Sequence, residues 1–170
     1  KTGKQKWVHV NRSNGYDRSS PIVDSDGAVY IGRHWNASFD AFNGKTGERK
    51  WEFPFPHARM VHTPAIGSDG TLYIGTERDK SVHAIDSKTG KKRWSFLTKN
   101  EVACAPVIDS KGSVFIGSTD GIFYALDGKT GELKWKFSDE KVHSYRYSSS
   151  AIDADGIIYT PSHHSYNEKG

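Results

Sequence analysis

The sequence comprises 170 residues, including 17 glycines, five tryptophans and a single cysteine. One cysteine excludes a disulfide within the chain and any zinc site built from several cysteines. The formal net charge of +4, from 24 basic and 20 acidic residues, is too small to indicate a nucleic-acid partner. No apolar run approaches the ~18 residues that a membrane-spanning helix requires.

The sequence repeats itself with a period of about 42 to 43 residues. Related segments, each with a small apolar run followed by a turn, begin at Ser20, Thr63, Ala105 and Ser149. Tryptophans recur in the same register at positions 7, 51, 94 and 135. We therefore predict a single unit spanning 1–170, with repeats at about 20–53, 63–96, 105–137, and 149–170 completed by 1–10.

Each repeat is predicted to form four short strands, which the third repeat illustrates at 106–108, 114–117, 122–126 and 133–137. The second of these alternates with a period of two, and no segment has a sustained helical period. Four short strands per repeat of this length are typical of a β-propeller blade. The predicted fold class is all-β, a propeller of four-stranded antiparallel blades. The chain holds four blade equivalents, and the fourth is split between the N- and C-termini.

Glycines mark two turns in each repeat. Gly27, Gly70, Gly112 and Gly156 are predicted to supply the positive φ of a hairpin turn between the first two strands. Two of these turns read Asp-x-Asp-Gly, which would also suit calcium. In the other two repeats, Gly67 and Lys111 replace one of the two aspartates, but the turn glycine is kept. The turn interpretation is therefore favoured over calcium. Gly47, Gly90 and Gly131 serve the turn between the third and fourth strands.

The residues from the third strand to the tryptophan follow the pattern Ala-x-Asp-x-x-Thr-Gly-x-x-x-Trp. Residues 84–94 and 125–135 match in full, and 41–51 match with Asn43 in place of Asp. This pattern resembles the tryptophan-docking motif of the pyrroloquinoline-quinone-like β-propeller repeat family. The resemblance implies that the four periodic tryptophans pack between adjacent blades, in a structural role. Those docking residues are Trp7, Trp51, Trp94 and Trp135.

In the repeat pattern, the position at which the sequence begins directly follows the position at which it ends. The chain also opens without an initiator methionine or a leader-like segment, so we interpret it as a mature protein or an excised piece. Three assemblies are consistent with this relation between the two ends: a four-bladed ring closed within one chain, an eight-bladed homodimer, or part of a longer array. Because propellers of the family have about seven or eight blades, the resemblance favours completion by a second copy or by missing sequence.

The connections opposite the two glycine turns vary strongly between repeats, and such variation collects on binding faces. They span residues 11–19, 54–62, 97–104 and 138–148, with further loops after Gly32, Gly75, Gly117 and Pro161. The candidate partner- or ligand-binding residues on this face are Tyr16, Arg18, His34, Trp35, Asn36, His57, Arg59, His62, Arg78, Tyr145, Arg146, His163 and His164. No metal is predicted, since His163 and His164 would point to opposite sides of a strand.

No catalytic residue or cofactor is predicted. The related quinoprotein dehydrogenases resemble this chain in blade motif, but their site uses an adjacent cysteine pair, a Glu/Asn/Asp calcium set and a stacking tryptophan. Cys104 stands alone between Ala103 and Ala105, and we expect it to be a small buried residue. The basic residues are spread around the ring, which disfavours nucleic-acid binding.

The function predicted from the sequence is a non-catalytic binding or assembly scaffold, presenting its variable loops to a protein or ligand. The resemblance implies a periplasmic, cell-surface or extracellular setting. Two alternatives stay open. One is a fragment of a quinoprotein-type oxidoreductase, and the other is a glycan-binding propeller in which Trp35, Tyr16 and Tyr145 stack on sugars.

Overall fold

The computed structural model describes residues 3–10, 19–33, 38–56, 62–146 and 149–162, and within them the chain forms fourteen strands and no helix. The first sheet, blade 1, contains β1 (Ile22–Val23), β2 (Ala28–Gly32), β3 (Ser38–Asn43) and β4 (Arg49–Pro54). Blade 2 contains β5 (Ala65–Ile66), β6 (Thr71–Gly75), β7 (Ser81–Asp86) and β8 (Lys92–Leu97). Blade 3 contains β9 (Val107–Ile108), β10 (Ser113–Gly117), β11 (Ile122–Asp127) and β12 (Leu133–Ser138), and blade 4 contains β13 (Ala151–Ile152) and β14 (Ile158–Tyr159).

Consecutive strands pair antiparallel in every sheet, which confirms the predicted all-β class with four-stranded antiparallel blades. The last strands of blade 4 are predicted within residues 163–170 and 1–10, of which residues 1–2 and 163–170 lie outside the described residues and residues 3–10 form no strand. Within the described part of the chain, no strand pairing joins residues 3–10 to β13 or β14. Completion of this blade by the first ten residues therefore stays a prediction. No helix in the described ranges could cross a membrane.

The blades pack face to face, and the core consists of the layers between them. Tyr30 and Phe39 of blade 1 pack against Leu72 and Ile74 of blade 2. The next layer joins blade 2 to blade 3, and the third joins Phe115 of blade 3 to blade 4. Because the middle strands are covered on both sides, all five residues of β6 and all five of β10 are buried, whereas all six residues of β12 are exposed.

The turn between the first two strands of each blade has the predicted chemistry. Gly27 has φ +78° and Gly112 has φ +81°, a left-handed backbone that glycine adopts without strain. The Asp24 carboxylate accepts a hydrogen bond from the Ala28 amide at 2.8 Å, and Asp109 accepts one from Ser113 at 2.7 Å. The carboxylates therefore hold their own turns together.

Three of the four periodic tryptophans, Trp7, Trp51 and Trp94, pack against a turn of the next blade, whereas Trp135 is 45% exposed and its docking stays a prediction. The Trp94 indole N–H donates to the Gly128 carbonyl of the next blade at 2.8 Å, and Trp51 donates to the Ser87 carbonyl at 2.9 Å. Each ring covers the glycine of the neighbouring turn so closely that a Cβ on Gly131 would lie 2.6 Å from the Trp94 ring. Trp7 docks on blade 1 in the same way.

The alanine that begins the docking motif has a structural reason. Ala84 pairs with Trp94 across the last two strands of blade 2, and Ala125 pairs with Trp135 in blade 3. Both alanines are completely buried. A small residue at this register position leaves room for the neighbouring indole.

The two sides of the ring differ. One side, here called the turn face, carries the β1–β2 and β3–β4 turns and their equivalents in the other blades. The opposite side, here called the loop face, carries the β2–β3 connections and the segments that run from one blade to the next. The antiparallel meander places all connections of one kind on the same side.

Candidate functional site

Of the thirteen residues that the sequence suggested for binding, the structure describes four, and these lie on the loop face. Arg78 is exposed and Arg146 is partly exposed, whereas His62 and Tyr145 are buried, with 7% and 1% of their surface exposed. In this conformation the buried pair offers no surface to a ligand. The other nine lie outside the described residues: Tyr16, Arg18, His34, Trp35, Asn36, His57, Arg59, His163 and His164.

Glycines at the ends of the second strands allow the segments that connect successive blades to pack closely against these strands. A Cβ on Gly117 would lie 2.6 Å from Cγ of Tyr145, and a Cβ on Gly75 would lie 2.7 Å from Val102. The Tyr145 amide donates to the Ser118 carbonyl at 3.2 Å beside this contact. Neither glycine has a positive φ, so close packing explains why glycine occupies these positions, and a turn conformation does not.

A buried charged group lies at the loop-face end of blade 1. Asp40, with no exposed surface, forms an ion pair with the Arg33 guanidinium, and Arg33 also contacts the His9 ring at 2.8 Å. Burial raises the pKa of Asp40 to about 6, against the opposing effect of Arg33. Oδ1 of Asp40 and Oγ of Ser38 have no hydrogen-bond partner among the described residues.

His83 occupies the equivalent position in blade 2. Its Nε2 lies 2.8 Å from the Asp79 carboxylate, which also accepts a hydrogen bond from Thr76. Burial alone would raise the pKa of Asp79, but these hydrogen bonds outweigh it and hold the pKa below its ordinary value. The ring of Phe55, from the connection after blade 1, lies 4.8 Å from the His83 ring.

Tyr124 takes the same position in blade 3. Its hydroxyl donates to the Asp120 carboxylate at 2.7 Å, and its ring packs against Phe96 of blade 2. Burial and the Asp120 hydrogen bond raise the pKa of Tyr124 above its ordinary value. In all three blades, a polar side chain on the third strand thus forms an ion pair or hydrogen bond with the connection before it and faces the preceding unit.

Neighbouring loops are also joined to each other. Arg146 forms an ion pair with Glu101, linking the segment after blade 3 to the segment after blade 2. The Ser118 hydroxyl donates to the Asn100 and Glu101 carbonyls, each at 3.1 Å, and Thr98 donates to the Lys80 carbonyl at 2.7 Å. The described part of the loop face is therefore held in one arrangement by contacts between blades.

The Asp40 pKa leads to a pH-dependent stability. The folded carboxyl binds a proton up to about pH 6, whereas the unfolded one releases it near pH 4, so its contribution to stability is greatest at low pH and declines as the pH rises. We expect wild type to lose about 2 kcal/mol relative to Asp40→Asn between pH 4 and 7. Urea unfolding of both proteins at several pH values measures this, and parallel curves would contradict it.

The turn face has a shallow cleft of about 680 Å³ between blades 2 and 3. Two of its carboxylates are used in structural contacts: Asp69 pairs with Arg93 at 2.9 Å, and Asp109 accepts the backbone hydrogen bonds of its own turn. Across the described ranges, no group of three His, Cys, Asp or Glu side chains could hold a metal ion. The loop face therefore stays the better candidate site.

A family model described as outer membrane protein assembly factor BamB matches residues 35–165. No curated protein matches the sequence. Among solved structures, BamB from Moraxella catarrhalis is 20% identical, with a TM-score of 0.63 over 87% of this chain. The quinohemoprotein alcohol dehydrogenase from Comamonas testosteroni is 26% identical, with a TM-score of 0.61 over 72% of this chain. The WD40 β-propeller domain of Doa1 is 16% identical, with a TM-score of 0.72 over 88%.

These similarities cover only part of each neighbour. The chain spans 50% of the BamB structure, 48% of the Doa1 domain and 21% of the dehydrogenase. The matches establish a propeller built of PQQ-like repeats and a chain that corresponds to half a propeller or less in length.

The described residues do not supply the site that the quinoprotein resemblance implies. Cys104 has no cysteine neighbour, and its thiol is 4% exposed and donates to the Gly117 carbonyl at 3.0 Å. Burial raises the pKa of this thiol to about 12, as suits a packed side chain and not a reactive one. Of the four described tryptophans, Trp7, Trp51 and Trp94 pack over the turn glycine of the next blade, and Trp135 lies at the matching register position with 45% of its surface exposed.

Proposed function

The chain belongs to the family of outer membrane protein assembly factor BamB, and on this basis we propose that it is a non-catalytic scaffold whose loop face binds a protein partner in the cell envelope. The observation that carries the proposal is the difference between the two faces. The turn face repeats a left-handed glycine turn in each blade, whereas the connections of the loop face differ in sequence and lie over different buried polar groups, Asp40, His83 and Tyr124.

The contacts that order the described part of the loop face support this proposal. A surface that is already ordered loses little conformational entropy when it binds. The contacts between blades, among them the ion pair of Arg146 with Glu101, supply that order before any partner arrives. Arg78 is exposed in the β6–β7 connection of this surface, and arginine is enriched in protein interfaces.

Site-directed photo-crosslinking tests the proposal. A photoreactive amino acid in place of Arg78 on the loop face is expected to trap a protein adduct in intact cells. The same amino acid in place of Lys88, which is exposed on the turn face of the same blade, is the matched control and is expected to trap none. Equal adducts at both positions, or an adduct at Lys88 alone, would refute the loop face as the binding surface.

The second candidate is part of a quinoprotein oxidoreductase, which the likeness to the Comamonas dehydrogenase supports. Calorimetric titration with pyrroloquinoline quinone and calcium separates the two. Saturable binding would favour the oxidoreductase, and the scaffold proposal expects a flat trace.

We also propose that further blades complete the ring. The exposed outer face of blade 3 supports this, since Trp135 and Phe137 are 45% and 54% exposed there. Ring closure removes such open sheet faces and edges.

A further inference from the structure

Lys80 has a strained backbone conformation at the loop-face end of blade 2. Its φ is +53°, and no other non-glycine residue in the described ranges has a positive φ. At the matching position of blade 3, directly before the third strand, the residue is Gly121 with φ +77°. Glycine adopts this conformation without strain, so the lysine at position 80 carries an energetic cost that glycine would avoid.

The fold uses the backbone of Lys80 and not its side chain. The Lys80 amide donates to the Glu77 carbonyl at 2.9 Å, and the Lys80 carbonyl accepts from the amide and the hydroxyl of Thr98 at 2.9 and 2.7 Å. Glycine would form the same hydrogen bonds. The side chain is exposed, and no carboxylate in the described part of the chain forms an ion pair with it. A costly residue that the fold does not need indicates that its side chain acts on something outside the chain.

Three further exposed side chains lie beside Lys80. Leu97 pairs across the strands with the residue that follows Lys80, and it is 71% exposed. The hydrogen bonds from Thr98 bring the exposed Lys99 next to Lys80. Arg78 lies in the same turn as Lys80 and is also exposed. These four side chains, one leucine among three cations, are here called the blade 2 corner: Arg78, Lys80, Leu97 and Lys99.

The carboxylates nearest to the blade 2 corner are engaged in contacts within the chain. Three of them have these partners: Asp79 with His83, Asp120 with Tyr124, and Glu101 with Arg146. A fourth, Glu77, is buried beside His62. The side chains that the corner exposes most fully are therefore the three cations and the leucine, which suits a negatively charged partner.

Blade 3 has no such corner, although its strands pair in the same register. In place of Arg78, Lys80, Leu97 and Lys99, the matching positions of blade 3 hold Thr119, Gly121, Ser138 and Glu140. Since blade 3 folds without the leucine and the cations, the repeat architecture does not explain them. Blade 2 also lies between two described blades, so each of its faces already has a neighbour.

We propose that the blade 2 corner binds an acidic segment of a protein partner, whose carboxylates meet the three cations and whose apolar side chain covers Leu97. An apolar centre within a polar rim is the anatomy of a protein interface. A nucleic acid would need the cations for its phosphates but would gain little from the leucine. This inference rests on the proposed binding role of the loop face and names the chemistry of the partner.

Fluorescence anisotropy with the labelled peptide Gly-Glu-Asp-Leu-Asp-Glu-Gly tests the proposal at low ionic strength. Wild type is expected to bind it saturably. Lys80→Gly is expected to raise the Kd about three- to fivefold, as the loss of one exposed ion pair would. Its melting temperature is not expected to fall, because glycine suits a φ of +53° better than lysine does. Leu97→Ser, which introduces the residue of blade 3, is expected to raise the Kd about tenfold.

Lys88→Gly is the matched control, since it removes an exposed lysine from the turn face of the same blade and should leave the Kd unchanged. A wild-type protein without saturable binding overturns the proposal, as does an unchanged Kd in Lys80→Gly or Leu97→Ser. Tighter binding of single-stranded DNA or of phosphatidylglycerol vesicles than of the peptide also overturns it, in favour of a phosphate ligand. So does a peptide that binds equally well with serine in place of its leucine.

The outcome for the loop face as a whole is read separately. A photoreactive group at position 78 leaves Lys80, Leu97 and Lys99 in place. Adducts from that position without peptide binding would keep the loop face as the binding surface and would reject only the acidic partner.

Discussion

Gly131→Ala is expected to lower the free energy of unfolding by about 2 to 5 kcal/mol, the sum of a left-handed backbone penalty and overpacking. Gly131 has φ +77°, and its Cβ position lies 2.6 Å from the Trp94 ring. The ring cannot retreat freely, because Trp94 is 9% exposed and its indole N–H bonds the Gly128 carbonyl. Moving it would separate blades 2 and 3.

Gly27→Ala isolates the backbone part of that effect. Its φ of +78° matches that of Gly131, but its Cβ position is open. It should lose only about 1 to 2 kcal/mol. Urea unfolding of the two variants and wild type gives the comparison. Equal losses in the free energy of unfolding would mean that the Trp94 ring moves aside without an energetic penalty. Tryptophan docking would then contribute little to the stability of the blade stack.

The features that sequence could predict are those encoded within one repeat. The Asp–Gly turn and the Thr-Gly-x-x-x-Trp segment each lie within a short stretch, so their chemistry recurs at a fixed spacing and is visible in the sequence. Gly90 and Trp94 illustrate this, since the tryptophan follows the turn glycine of its own repeat at the same spacing in every copy. The fold class followed from that regularity.

The buried polar pairs had no such signature. Asp40, His83 and Tyr124 occupy one structural position but differ in charge and shape, so an alignment of the repeats presents them as variable. Their partners also differ, from the Arg33 cation to the Asp120 carboxylate. A polar residue before the motif alanine in an otherwise apolar strand was the available signal, because such a group requires a partner when it is buried.

The binding candidates were chosen by loop position and residue type, and those criteria do not report burial. Tyr145 was predicted to stack on a ligand, yet its ring is buried against Phe123. Tyr145 packs on Gly117, a glycine to which the sequence interpretation gave no role. Because Gly117 has no positive φ and its contact is distant in the chain, no local pattern marks it.

Gly117→Ala is expected to destabilise the protein by about 3 to 5 kcal/mol, comparable to removing a buried aromatic ring. The backbone at Gly117 suits alanine, which would otherwise stabilise by about 0.4 to 1 kcal/mol through the unfolded chain. The loss therefore reports the collision with Tyr145, whose Cγ lies 2.6 Å from the Cβ position. Displacement of Tyr145 should also free the segment after blade 3, so trypsin should cut faster after Lys141 and Arg146.

A double-mutant cycle assigns that loss to the one contact. Tyr145→Gly removes both the ring and the Cβ that the new methyl group would strike. In that background, adding Gly117→Ala should cost little or should stabilise slightly, because only the effect on the unfolded chain remains. If alanine costs as much in this background as in wild type, the Gly117 constraint does not come from Tyr145. In that case the loop face is positioned by its ion pairs and hydrogen bonds, such as Arg146 with Glu101.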